Sequence, residues 1–129
     1  MERKNKVIIF DNNEEFNTLM TTKAYVATTR NFANAHKGEV VEFDGCVALM
    51  MKHENYNTRF DVCLAVGDYT ADETYGPLFA FENVNFSGMN VSGTDTVAEG
   101  MDFRIAGEIV GYSSEGNYII LKPVFMRYR

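Results

Sequence analysis

Two histidines and two cysteines, His36, Cys46, His53 and Cys63, give this chain the composition of a zinc site. One ion needs its ligands in close pairs, and no two of these residues are close in sequence. Cys46 and His53 are separated by extended chain, roughly 20 Å at about 3.3 Å per residue, more than one ion can bridge. The spacing therefore argues against a metal. The cysteines alone offer redox chemistry. If the hairpin that carries them has no bulge, Cys46 and Cys63 share a face on neighbouring strands and could form a disulfide. A bulge at Gly45 would put the two sulfurs on opposite faces. The other reading is two reduced thiols packed as small hydrophobes. No histidine is placed to activate either sulfur, so neither reading needs a catalytic thiol. Glu42 and Asp44 fall on one strand face roughly 6.6 Å apart, within reach of an acid/base pair. Any polar strand face makes such pairs, and nothing in the sequence signals a raised pKa, so they are read as solvated. No catalytic residue, metal ligand or cofactor is expected, and the chain is read as not an enzyme.

Aromatic residues are better candidates for contact with a ligand. Tyr56, Tyr69, Tyr75 and Tyr112 fall in or beside turns, where a core does not explain them, and loop tyrosines suit sugars, peptides or bases. The longest loop, Gly67 to Pro77, holds Tyr69 and Tyr75 among the carboxylates Asp68, Asp72 and Glu73. With residues at the start of the second strand, the expected ligand-binding set is Tyr56, Arg59, Asp61, Tyr69 and Tyr75. The Asn-x-Ser sequons at Asn85 and Asn90 matter only in a eukaryotic secretory setting.

The formal net charge of −6 bears on the partner. A nucleic-acid binder needs a basic stripe, whereas the basic residues here gather near the two ends, at Arg3, Lys4 and Lys6 and at Lys122, Arg127 and Arg129. Asp68, Asp72 and Glu73, and Asp95, Glu99 and Asp102, read as solvated loop charges. Nucleic acid is thus a disfavoured partner. No apolar run is long enough for a transmembrane helix or a secretory signal, since Val7 to Phe10 is far too short. That leaves the compartment open, because a module of an exported or anchored protein would look the same.

The elements that must position these residues follow from periodicity. At 129 residues one domain is expected over 1–129. Residues 1–11 read as an N-terminal arm, with an edge strand at Lys6 to Phe10. Residues 12–38 read as helical: one helix capped at Asn12 or Asn13 and ending at Thr21 or Thr22, then a second from Thr28 or Thr29 to a stop at Lys37-Gly38. From 39 onward the pattern is β. Val41 and Phe43 alternate with Glu42 and Asp44 in a long first strand that turns apolar on both faces beyond Gly45, where a bulge or bend is expected. Phe60, Val62, Leu64 and Val66 alternate in the second strand. Leu78 to Val91 is a loosely alternating third. Met101 to Tyr112 is the fourth, and Tyr118 to Met126 the fifth, in which Pro123 requires an edge or a bulge. Phe43, Val62, Leu64, Ile105 and Ile119 are the expected core.

Five strands, a bent first strand and an N-terminal helical segment predict a mainly β (α+β) chain folded as an OB-like β-barrel. Phe32, Lys37-Gly38, Val41-Glu42-Phe43-Asp44-Gly45, Tyr56-Asn57-Thr58-Arg59-Phe60-Asp61, Gly67-Asp68-Tyr69, Gly76-Pro77 and Leu121-Lys122-Pro123-Val124 resemble a bacterial family of unknown function, often a C-terminal module of longer proteins. More distantly the chain resembles OB-fold domains of the nucleic-acid-binding kind. The resemblance implies a fold and carries no catalytic residues with it. The functional expectation is a non-catalytic binding or interaction module for a protein, peptide or glycan, with a single-stranded nucleic-acid-binding OB domain as the alternative.

Overall fold

Asn13 starts the first helix as its side-chain oxygen accepts the backbone N–H of Phe16 at 2.9 Å, with Glu14 and Glu15 in the first turn against the positive end of the dipole. In the computed structural model, which describes residues 7–23 and 25–129, this helix, α1, runs Glu14–Thr21 and buries Phe16, Leu19 and Met20. Thr21 and Thr22 end it by donating their hydroxyls back to the carbonyls of Asn17 and Thr18, at 2.7 and 2.8 Å. The second helix, α2, spans Val26–Ala35 and so begins before the threonines expected to open it. Tyr25 occupies its N-cap with no side-chain bond, and Thr29 is buried with its hydroxyl unpartnered among the described residues. Of the N-terminal arm, Ile8 makes a parallel bridge to Val41 in place of an edge strand, and the basic cluster Arg3, Lys4 and Lys6 lies outside the described residues.

The strands are β1 Val40–Lys52, β2 Phe60–Val66, β3 Leu78–Val84, β4 Val91–Ser92, β5 Asp102–Ser113 and β6 Tyr118–Tyr128. Antiparallel pairing gives the order β3-β2-β1-β5-β6, and a parallel contact between β3 and β6 closes it into a five-strand mixed barrel. The short β4 pairs with the far end of β6. The expected third strand thus stops at Val84, where the chain leaves for a single 3₁₀ turn at Ser87–Met89 before β4.

β1 serves both halves of the barrel, pairing with β5 from Val40 to Cys46 and with β2 from Gly45 to Lys52. Gly45 is where it turns from one to the other. A Cβ there would sit 2.6 Å from the carbonyl oxygen of Ala65 and 2.9 Å from both Ile105 Cδ1 and Phe43 Cε2, so only glycine lets the walls close. Register runs unbroken through Gly45, and the bulge expected there lies instead at Ala48, between Val47 and Leu49. A second slip places Val124 opposite no partner beside Pro123, which is how a residue without an N–H sits inside β6. The interior is apolar throughout. Phe43, Val62, Leu64, Ile105 and Ile119 are each fully buried, and Phe43 stacks on Phe79 with ring centroids 4.5 Å apart.

α2 docks on β5 and β6, and Phe16 of α1 stacks on Phe32 of α2 at 5.7 Å. His36, at the C-cap of α2, fixes their position. Its Nε2 lies 2.9 Å from Glu15 Oε1 and its Nδ1 2.9 Å from Glu39 Oε1, with the ring against Phe32. A neutral imidazole has one N–H and cannot donate to both carboxylates, so the geometry calls for the imidazolium. Burial works to lower the pKa of His36, the hydrogen bonds and charges of Glu15 and Glu39 outweigh it, and the net shift is upward from 6.5. A folded pKa above the unfolded one contributes stability that is complete below 6.5 and is lost as pH rises through the raised folded value. The urea midpoint should therefore fall as pH is raised above 6.5, and His36→Gln should flatten that slope. Parallel curves for the two proteins would remove His36 from the account.

Candidate binding surface

Side chains alternate across a strand, so the residues between the core positions point outward, and register decides which of them meet. Leu49 pairs with Cys63, Cys63 with Ala80, and Ala80 with Ile120. These pairings lay one uncharged row straight across β1, β2, β3 and β6 on the outer face. Its middle members, Cys63 and Ala80, are small and form a floor. Leu49, Met51 and Leu78, 43 %, 53 % and 40 % exposed, stand at its margins. The result is an open groove of about 450 Å³ over Leu49, Cys63 and Ala80, with His53, Asp61, Glu82 and Tyr118 on its rim, while Ile120 lines a neighbouring depression. Exposed apolar side chains gathered into one concavity, rather than scattered, mark contact surfaces.

The rim is built by a bulge. Between the pairs Phe60–Val84 and Val62–Phe81, Glu82 and Asn83 oppose the single residue Asp61. Asn83 adopts a left-handed φ of 54° and donates its backbone N–H to Asp61 Oδ1 at 2.9 Å. Arg59 then clamps Asn83, donating from Nε to its side-chain oxygen at 2.8 Å and from Nη2 to its carbonyl at 2.6 Å. Asp61 also meets His53 Nδ1 at 2.9 Å, and the Tyr56 ring lies parallel to that imidazole, 6.5 Å away. Across the groove Tyr118 donates its hydroxyl to Glu82 at 2.8 Å. Burial, with the Glu82 carboxylate added, pushes the Tyr118 pKa up and keeps the phenol protonated. Beyond Glu82 lies a second depression of about 540 Å³, bordered by Arg59, Asn83 and Lys122.

The five expected ligand residues separate into two groups. Tyr56, Arg59 and Asp61 gather at the rim just described. Tyr69 and Tyr75 sit past the opposite end of β2, a strand length or about 20 Å away. There Tyr69 donates its backbone N–H to Asp102 Oδ1 at 2.8 Å, and Gly76, next to Tyr75, donates to the Thr22 carbonyl at the end of α1 at 2.7 Å. Tyr112 bonds Asn117 across the turn between β5 and β6. His53, Glu82, Asn83, Tyr118 and the apolar margin were not anticipated. Their one sequence signal is the apolar run Cys46 to Met51, too hydrophobic for a strand whose other face meets water.

The remaining candidates resolve individually. Cys46 lies across from Ala65 and Cys63 across from Leu49, on successive outward rungs separated by the Ala48 bulge, and both are free thiols. Burial pushes both above their ordinary pKa, with Asp102 adding to the effect at Cys46. Such thiols are poor nucleophiles. Glu42 and Asp44 are tied rather than solvated, since Arg104 reaches Glu42 at 2.8 Å and Asp44 at 3.2 Å. Several loop carboxylates hold the barrel as well: Asp68 pairs with Arg129 at 2.8 Å and Glu99 accepts the Met50 N–H at 3.3 Å. Among the described residues no group of three or more His, Cys, Asp or Glu side chains could hold a metal ion, and no helix is long and apolar enough to cross a membrane.

Residues 11–129 match a family described as a domain of unknown function (DUF4839). No curated protein and no solved structure matches the chain.

Proposed function

Because the chain belongs to the DUF4839 family, whose description names no activity, we propose from its geometry that it is a non-catalytic binding module working through the outer face of β1, β2 and β3. The single observation that carries this reading is the open groove lined by Leu49, Met51, Cys63, Leu78 and Ala80, apolar where a barrel face exposed to water needs polar residues. The strand order, with β1 shared between β2 and β5 and with β3 parallel to β6, supports taking the barrel as OB-like. In such barrels ligands meet the face of the second and third strands and its flanking loops. Fold alone assigns nothing, and the weight rests on the groove. Its uncharged floor suits a protein or peptide segment better than a heavily hydroxylated glycan. Against the nucleic-acid alternative, Asp61 and Glu82 line the groove and no lysine or arginine does, so a phosphate backbone would be repelled.

Panning a displayed random-peptide library against the folded protein is expected to yield peptides whose affinity falls at least about tenfold in the Leu49→Gln/Met51→Gln variant. Both positions are exposed, so the variant should fold. Loss of binding in Tyr69→Ala/Tyr75→Ala instead would move the site to the long loop. Tight binding of a single-stranded oligonucleotide with a steep salt dependence would favour the nucleic-acid reading.

A further inference from the structure

We infer that the groove takes a cationic, amphipathic segment of a partner protein, which seats a bulky apolar side chain on the Cys63–Ala80 floor and sets lysine or arginine against Asp61 and Glu82. This rests on the binding-module reading and goes further, to the chemistry of the occupant. Shape supplies the first half of the argument. Small residues at the centre of the row and larger ones at Leu49, Met51 and Tyr118 make a depression that a phenylalanine or leucine side chain fills. The groove reaches across four strands, from Leu49 on β1 to Tyr118 on β6, about 14 Å at roughly 4.8 Å per strand, the length of about four extended residues.

Charge supplies the second half. Asp61 and Glu82 both line the groove, and the donors that hold them are a backbone N–H, a phenol and the His53 imidazole. Arg59, two residues before Asp61, spends its guanidinium on Asn83 and faces the neighbouring depression instead, and Lys52, between Met51 and His53, donates to Asn57. Glu54, outside the lining but 3.4 Å from His53, adds a third carboxylate nearby. The acidic edge is therefore left for an incoming positive charge, which would steer a basic partner and reject an acidic one. A second copy of the chain is disfavoured, because a two-fold contact would set this acidic rim against itself on a protein of net charge −6. Strand addition is disfavoured across the floor, where β2 is paired on both sides and β3 is closed by β6, so recognition there is by side chains.

The test uses three short synthetic peptides carrying a central phenylalanine between lysines, between glutamines or between glutamates, with affinities read by fluorescence anisotropy at physiological ionic strength. The lysine peptide is expected to bind at least about tenfold tighter than the glutamate peptide. Asp61→Asn/Glu82→Gln, which keeps the hydrogen-bond acceptors, should remove most of that difference and leave the glutamine peptide unchanged. Ala80→Met, filling the floor from an outward position, should abolish binding of the lysine peptide. Leu49→Gln, at an exposed position outside the core, should weaken it. Equal binding of the lysine and glutamine peptides, both lost in Ala80→Met, would overturn the cationic partner and leave the binding surface standing. Binding of none of the three, with panning also empty, would overturn both. A dimer in sedimentation that dissociates in Ala80→Met would assign the groove to a second copy and overturn the inference.

Discussion

Phe43→Ala is expected to lower the unfolding free energy by about 3–5 kcal/mol, with a corresponding drop in the urea midpoint. Phe43 is fully buried in the first half of β1, the strand that joins both halves of the barrel, and its ring stacks on Phe79 at 4.5 Å. Collapse into the vacated space is resisted on every side, because the neighbouring strands are locked by register and by the glycine contact at Gly45. The lost ring therefore leaves a cavity, which puts the cost at the upper part of the range for large-to-small changes. A shift worth less than about 1 kcal/mol would show that Phe43 is not the centre of the packing.

Gly45→Val is expected to be at least as damaging, about 3 kcal/mol or more, at or beyond the top of the usual overpacking range. The reason is space rather than backbone conformation, since Gly45 is not among the glycines with positive φ. The first added carbon already meets the Ala65 carbonyl oxygen at 2.6 Å, and that oxygen belongs to the β2 main chain, which cannot swing aside as a side chain can. Gly111→Ala is the control. It lies in β5, with only Lys37 Cε near the added carbon, at 3.9 Å, and should change the midpoint little. Equal effects at the two positions would refute the close approach at Gly45.

Most of the barrel was legible in the sequence because half-buried strands write their register into alternation. Val41 and Phe43 against Glu42 and Asp44, and Phe60, Val62 and Leu64 against Asp61 and Cys63, leave one inward assignment, and all of these but the half-buried Phe60 are buried where alternation puts them. The cap of α1 was legible to within one residue, Asn12 or Asn13, for the same kind of local reason, since a short amide before Glu14-Glu15 suits a helix start, and the structure places it at Asn13. The bulges were not. Cys46 to Met51 is apolar on both faces, so a slip at Ala48 changes nothing in the pattern and leaves no trace. The slip at Glu82-Asn83 was equally silent, and it is what brings Asp61, Arg59 and His53 into one network. The groove was illegible for a further reason: it exists only once Leu49, Cys63, Ala80 and Tyr118 come together across four strands, a relation set by tertiary pairing. Tyr69 and Tyr75 show the reverse limit. Their exposure was readable from their loop, but the end of the barrel they occupy depends on where Asp102 and α1 lie.

The parallel seam between β3 and β6 has a bearing on self-association. Leu78 to Phe81 and Tyr118 to Leu121 are uncharged and rich in aromatic and β-branched residues, the composition of segments that stack into cross-β fibrils when their edges lie open. In the closed barrel each edge is taken up by the other, Leu78 against Tyr118 through Phe81 against Leu121. The contact that completes the fold is thus also what denies two aggregation-prone edges to other copies of the chain, with no gatekeeper charge inside either segment to take over if the seam opens.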